Sequence, residues 1–556
     1  MSTENIIETD ILILGGGIAG CFAAIKAREK GLNVTLVDKA YVGKSGSTAA
    51  AGMRYTLFNP DMGDNLDNMV NDMIKESEYL NNPEWAKIQI KESLDRYQDL
   101  VAWGVEFPIE IEEEGLFTPK QVVDSPMTAV RIVRRGVAPP LRKQALKVGV
   151  KIMDRMVVTD LLKQDGKVVG AVGFPVAGLD PYVFKAKAVV VSTGSWGLRP
   201  VGAESHNMTG DGQAMAYRSG AEFIGGEFHL THIGSAEYPS WRGGRAARAI
   251  FRYFTDAEGV QVPYGHEVGF DVEVAFHEGR GPIFHDLDAA TDEEIDRVWK
   301  RQQHSEARES ERIGFDPRNR GKYKMAGGQD VYVGGSIYLI NTECATSLPG
   351  LYAAGDCSNS RGAGGGLPGG AVTGARAGLA AAEYALQTGK PVIDEEELEK
   401  AKQIMYKPVE RKGGFNPRWV TQLLQNTMTP YYVLVIQHGE RLQAALSMVE
   451  FFRDHFVPKL YATNSHELRL AHEVKNMVLG SEMSLRASLF RTESRGSHYR
   501  EDYPRRDDPA WLAWVKMREE GGKMNLWKEP VPKEWWPDLS KPYEERYPRR
   551  FPGEKI

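Results

Sequence analysis

The chain has 556 residues, 42% of them hydrophobic and 26% charged, with 69 Lys and Arg against 75 Asp and Glu and a formal net charge of −6. That length suits a large core divided among two or three domains, and the slight acidity argues against a scaffold for nucleic acid, whose phosphates call for a basic surface. Three scattered cysteines, Cys21, Cys344 and Cys357, are too few for a disulfide framework or a cysteine-ligated cluster. No apolar run of about 18 residues predicts a membrane span, and MSTENIIETD has no signal-like core, so the expectation is a soluble cytoplasmic protein.

The first predicted unit is ILILGGGIAGCFAAIKAREKGLNVTLVDKA, residues 11–40: a strand, a glycine turn, a helix and a second strand ending in Asp38. Gly15, Gly17 and Gly20 supply the GxGxxG spacing for a tight turn, an approach to a pyrophosphate and a close helix–strand contact. Phosphates would sit on the helix N-terminus and a ribose hydroxyl on Asp38. The motif alone does not separate NAD from FAD. Next comes KAYVGKSGSTAAAGM, whose Ser45, Gly46, Ser47 and Thr48 either reach phosphate and flavin-ring oxygens or form a plain flexible loop.

The middle of the chain is rich in Arg, His, Trp and Gly. GGEFHLTHIG carries His229 and His232, and EYPSWRGGRAARAIFRYF carries Arg242, Arg245 and Arg248 beside Trp241. Clustered guanidiniums suit a carboxylate, phosphate or sulfate, although a solvated basic face has the same composition. Residues 348–378, LPGLYAAGDCSNSRGAGGGLPGGAVTGARAG, read as a buried strand ending in Gly355 and Asp356, a loop with Arg361, and a small-residue helix from near Ala371. A helix N-terminus there would stabilise negative charge on a reduced isoalloxazine. Two separated nucleotide-cradling segments fit one long cofactor. From 401 to 510 apolar residues recur at helical spacing, and NLWKEPVPKEWWPDLSKPYEERYPRRFPG reads as an extended docking arm.

GGGIAG, SGSTAAAG, KAKAVVVSTG (185–194), TGDG (209–212), PGLYAAGD (349–356) and RTESRGSHYREDYPRRDDPAW (491–511) occur in an order that resembles the flavoprotein subunits of the succinate dehydrogenase, fumarate reductase and L-aspartate oxidase superfamily, which includes the adenylylsulfate reductase α subunit. The resemblance implies an α/β fold with a Rossmann-like FAD-binding domain (1–222 and 333–400), an inserted α+β capping domain for substrate (223–332), a C-terminal helical domain (401–510) and an extended arm (511–556). It implies FAD lined by Gly15, Gly17, Gly20, Asp38, Lys39, Ser45, Thr48, Val157, Thr193, Gly194, Asp211, Asp356, Ala371 and Val372, with Gly46 and Ser47 from the loop between them. Covalent members carry a histidine in that loop; its absence here predicts non-covalent FAD.

Fumarate reductases have a His-Pro-Thr sequence after a glutamate-led strand, a proton-donating arginine in the capping domain, and a His and Arg near the second flavin segment. His232 falls at the first of these, but Ile233 and Gly234 follow it; Arg242, Arg245, Arg248 and Arg361 are the candidate arginines, and His229 is read as structural. The leading expectation is fumarate reductase-like reduction of a carboxylate-activated C=C bond. The alternatives are adenylylsulfate reduction to AMP and sulfite, to which GAVGFPVAGLDPYVF and GRGPIFHDLDAAT look closer, and an electron-transfer flavin subunit with no substrate of its own. No metal-ligand set is present. The resemblance also implies a partner, a ferredoxin-like iron–sulfur subunit, through which any association with a membrane complex would run.

Overall fold

Ile11, Leu12 and Ile13 are wholly buried, as expected of a strand covered on both faces. The computed structural model describes residues 5–50, 54–107, 128–131, 136–199, 204–235, 253–262, 271–296, 316–358 and 365–555. Strand β1 (Asn5–Leu14) leads through a glycine turn into α1 (Ile18–Glu29) and on to β2 (Val34–Asp38). β1 and β2 pair in parallel, and β2 pairs in parallel with β3 (Lys151–Asp154). An antiparallel run of β4 (Met156–Gln164), β5 (Lys167–Pro175) and β6 (Tyr182–Val191) returns the chain to the other side of β1. The sheet order is β3-β2-β1-β6-β5-β4, and β9 (Leu351–Ala353), far along the chain, pairs in parallel with the C-terminal half of β6. Helix α2 (Asp211–Arg218) follows the TGDG turn.

A five-stranded sheet forms in the middle segment: β7 (Leu230–Ser235), β8 (Lys322–Tyr332) and the short strands Phe284–Asp286, Phe254–Thr255 and Gln261–Val262. Beyond β9, α3 (Gly366–Gln387) lies across α1, and the chain up to about residue 490 is mainly helical: α4 (Glu395–Glu410), α5 (Pro417–Met428), α6 (Gly439–Phe451) and α7 (Ser465–Phe490). Asn side chains cap the N-termini of α5 and α7, accepting from the N–H groups of Arg418 and Glu467. The molecule is thus an α/β fold with an inserted α+β unit and a C-terminal helical unit.

The C-terminal segment departs from an extended arm. β10 (Ala513–Glu520) and β11 (Lys523–Pro530) form a hairpin through Gly521 and Gly522, and β10 also pairs with Phe223–Ile224. The following residues cover their own chain: Tyr547 and Phe551 are buried, and Phe551 stacks on Tyr499 at 5.4 Å. Beneath them the RTESRGSHYREDYPRRDD segment builds a buried chain of ion pairs, Glu227–Arg491 (3.0 Å), Arg491–Glu493 (2.7 Å), Glu493–Arg495 (2.7 Å) and Arg495–Asp508 (2.7 Å). Charges taken out of water need such mutual pairing.

Candidate FAD site

Gly15 ends β1 with a φ of +101°, and a Cβ there would stand 2.4 Å from the Ser192 carbonyl oxygen. Gly20 sits in the first turn of α1, where a Cβ would lie 1.9 Å from the Gly15 carbonyl oxygen. Only bare backbone lets the turn fold back and the helix close onto it. No side chain of the N-cap residues, Gly17 and Gly365, caps α1 or α3. The starts of both helices border one cavity of about 420 Å³, so their end N–H groups and dipoles favour an anion there.

The cavity runs past Gly15, Gly17, Asp38 and Lys39, then Ser45, Gly46, Ser47 and Thr48, then Thr193, Gly194 and Asp211, and reaches Asp356 and Gly366. These segments come from the ends of β1, β2, β6 and β9 and from the start of α3, the rim where open α/β sheets take ligands. Asp38 accepts the N–H of Gly16 (2.8 Å) and of Ala40 (2.7 Å). Burial pushes its carboxyl above the ordinary value, against those donors and Lys39. Thr48 Oγ1 accepts the N–H of Ile18, fastening the small-residue loop to the start of α1 (3.0 Å). Asp356 accepts the Ser195 hydroxyl (3.2 Å), and its burial likewise raises its pKa.

Lys39 enters a cluster of charges that links the cavity to α7. Its Nζ lies 2.7 Å from Asp211 and 2.8 Å from Glu473, and donates to Thr209 Oγ1 at 2.9 Å. Burial opposes the charge on Lys39, yet the two carboxylates hold its pKa above the usual lysine value. Glu473 also pairs with Arg469 (2.8 Å) and Arg199, and Asn476 Nδ2 donates to Asp211 Oδ1 (3.0 Å). Against burial, the cations keep Glu473 below its ordinary pKa. Glu473, Asn476 and Arg199 were absent from the sequence expectation. Their only sequence signal is a Glu and an Asn on α7 among apolar neighbours.

Several expected positions lie just off the cavity. Val157 packs into a second core with Leu162 and Phe174, while its strand neighbours Met156 and Val158 line the cavity, as alternation along a strand requires. Ala371 and Val372 are buried within α3, which begins at Gly366 rather than near Ala371, and Gly366, Leu367 and Gly370 take the wall. The glycines of this run serve a helix crossing: a Cβ at Gly374 would lie 2.3 Å from the Ala19 carbonyl oxygen. Gly20 shapes the turn behind the cavity.

Of the candidate substrate residues, Arg242, Arg245, Arg248 and Arg361 lie outside the described residues. The backbone places His232 on β7 opposite Asp330 of β8, in the ladder where Leu230 faces Tyr332, a residue of the cavity wall. His229 is 5% exposed, with Nε2 3.0 Å from Ser488 Oγ, and burial lowers its pKa to about 3. No group of three or more His, Cys, Asp or Glu is placed to hold a metal among the described residues. Nor is any described helix long and apolar enough to cross a membrane.

Residues 10–373 match the FAD binding domain family, and residues 421–547 match the family described as fumarate reductase flavoprotein C-term. One chain of the CoM/CoB fumarate reductase of Methanothermobacter marburgensis is 28% identical to this chain, covering 91% of it and 96% of the relative. The fumarate reductase flavoprotein subunit of Mycobacterium tuberculosis is 26% identical, covering 96% and 99%. In fold, the chain is similar to adenylylsulfate reductase from Archaeoglobus fulgidus, with a TM-score of 0.80 at 23% identity over 95% of this chain and 97% of that one. With the glycine cradle, the two helix starts and the long cavity already in place, the chain belongs to the FAD binding domain family, and it is an FAD-dependent oxidoreductase of the fumarate reductase and succinate dehydrogenase flavoprotein superfamily.

Proposed function

We propose that this chain is a catalytic flavoprotein subunit that moves two electrons between an iron–sulfur partner and a small anionic substrate, with fumarate-type reduction of a carboxylate-activated C=C bond as the leading reaction. The observation that carries the reading is the β7–β8 ladder. It sets His232 two residues, about 7 Å, along the strand from Leu230, whose partner Tyr332 borders the cofactor cavity.

In this reading the N–H groups at the start of α1, Asp38, Ser47, Asp356 and the start of α3 would hold FAD non-covalently. Among the described residues that line the cavity there is no histidine or cysteine to form a covalent link. Bound FAD supplies hydride transfer at its ring nitrogen. The chain's residues do the rest. The α3 N-terminus favours negative charge beside it. Arg242, Arg245, Arg248 and Arg361 are the proposed anion holders, and the segment 223–332 is the proposed cap that excludes water over the substrate.

The relatives named as fumarate reductase support this reaction class, and the likeness of fold to adenylylsulfate reductase keeps that substrate as the second to be tried. The test is anaerobic: FAD-loaded protein is photoreduced and mixed with fumarate or with adenylylsulfate while flavin absorbance is followed. Reoxidation by fumarate within seconds is expected. Reoxidation by adenylylsulfate alone moves the chain to the second reaction, and inertness toward both refutes a small-anion substrate of either kind.

A further inference from the structure

Helix α7 turns one stripe of buried residues toward the cofactor cavity. Glu473, Asn476, Gly480 and Ser484 recur at three and four residues, the spacing that sets them on one face. The stripe stands behind the cavity wall and bears on it at successive turns. Glu473 pairs with Lys39 and Asn476 donates to Asp211, both of the wall. Gly480 admits the Trp196 ring, 2.5 Å from where a Cβ would stand, and Trp196 adjoins Ser195 of the wall. Ser484 Oγ accepts the Gly334 N–H at 2.6 Å, two residues past Tyr332.

The Lys39 ammonium has three N–H donors, and three acceptors surround it: Asp211 Oδ2 (2.7 Å), Glu473 Oε1 (2.8 Å) and Thr209 Oγ1 (2.9 Å). Its donors are therefore spent within the protein, although it borders the cavity. Asp211 is filled differently. Its Oδ1 accepts from the Thr209 hydroxyl (2.9 Å) and from Asn476 Nδ2 (3.0 Å), and its Oδ2 accepts from Lys39. A carboxylate offers about four acceptor positions, so Oδ2 keeps one open, among the described residues, to a hydroxyl donor in the cavity. Glu473 is itself held fast, since Arg199 and Arg469 (2.8 Å) also grip its carboxylate.

We propose that Glu473 is a positioning residue of the FAD site: it anchors Lys39 to α7, and Lys39 holds the Asp211 carboxylate so that its open oxygen is presented to a sugar hydroxyl in the adenosine half of FAD. Lys39 directly follows Asp38, the acid at the end of β2, and that strand end is where the adenosine ribose of a dinucleotide sits. Lys39 thus acts through Asp211 and not on the phosphates. The inference rests on the FAD assignment.

In the experiment, flavin-free full chain is titrated with FAD, followed by flavin fluorescence, and with ADP, followed by calorimetry. The chains compared are the unaltered one, Glu473→Gln, Glu473→Asp, Lys39→Met, and Lys39→Met with Glu473→Gln, each checked for folding by circular dichroism. Glu473→Gln is expected to weaken FAD and ADP alike by about tenfold, the size of one coupled contact. Glu473→Asp should recover part of that loss, and adding Glu473→Gln to Lys39→Met should leave the Lys39→Met value unchanged. A Kd equal to that of the unaltered chain in Glu473→Gln, with only the urea midpoint lowered, assigns Glu473 to stability alone and overturns the proposal. So does an equal loss in the parent and Lys39→Met backgrounds, which separates Glu473 from Lys39, or a loss for FAD with ADP unaffected. Should Glu473→Gln fail to fold, Asn476→Ala removes a donor to Asp211 without unpairing a charge; it is expected to weaken FAD about threefold, and an unchanged Kd there refutes the proposal. If the unaltered chain binds neither FAD nor ADP, the cofactor assignment falls and the proposal with it.

Discussion

Lys39 follows directly on the ribose-type aspartate in sequence, yet its partners Glu473 and Asn476's acceptor Asp211 come together from distant parts of the chain. Removing the cation while leaving both carboxylates buried should be costly, since breaking one side of a buried pair typically loses about 3 to 5 kcal/mol. Lys39→Met is therefore expected to lower the urea midpoint sharply, and Lys39→Met combined with Glu473→Gln to recover part of the loss. A double variant no more stable than Lys39→Met would show that the pair is not energetically coupled. At this scale the sequence was most legible where chemistry is local. Gly15, Gly20 and Asp38 are dictated by the backbone of a single turn, and a spacing rule finds them. Glu473 is selected by a contact across the whole chain, and no spacing encodes it. Val157 shows the complementary difficulty: a strand reading locates β4, but which of two alternating faces meets the cavity depends on the layer above it.

At the scale of elements, the helical periodicity after residue 400 and the β1–α1–β2 unit were legible because one buried face repeats along each. α3 begins five residues before the expected start, because its glycine-rich first turns read as loop, whereas bare backbone at Gly370, Gly374 and Gly378 permits contact with α1. The β10–β11 hairpin had a signal in AWVKMREEGGKMNLWKEP, alternating residues around a two-glycine turn with φ of +58° and +82°, but the Pro and Trp content beyond it favoured an extended reading. Elements also set the pH response. Burial against α7 lowers His229 to about 3, and His472 on α7 itself, with Nε2 on the Met405 carbonyl, is lowered to about 4. Both are neutral in the fold, whereas an unfolded histidine charges below about 6.5. The unfolded state therefore binds more protons between those values, and stability is lost as pH falls through the unfolded pKa. By pH 5 the cost is on the order of 2 kcal/mol for each histidine. Urea unfolding from pH 7 to pH 5 should show this decline, flattened in His472→Gln; a variant with the same slope as the parent would remove His472 from the account.

At the scale of the whole molecule, β1–β2, the end of β6, β9 and the start of α3 converge on one cavity although the chain leaves and returns between them. That return is what the two glycine-rich segments announced in sequence. The ion-pair row through Lys39, Glu473 and Arg469 then joins the helical unit to the same cavity. The claim on which the rest depends is that this cavity holds FAD. Flavin-free chain titrated with FAD, with NAD as competitor and flavin fluorescence as the readout, tests it most directly. The account predicts saturation at one FAD per chain, no displacement by excess NAD, and full release of the yellow colour on acid precipitation; failure to bind FAD, displacement by NAD, or flavin retained in the pellet would contradict it.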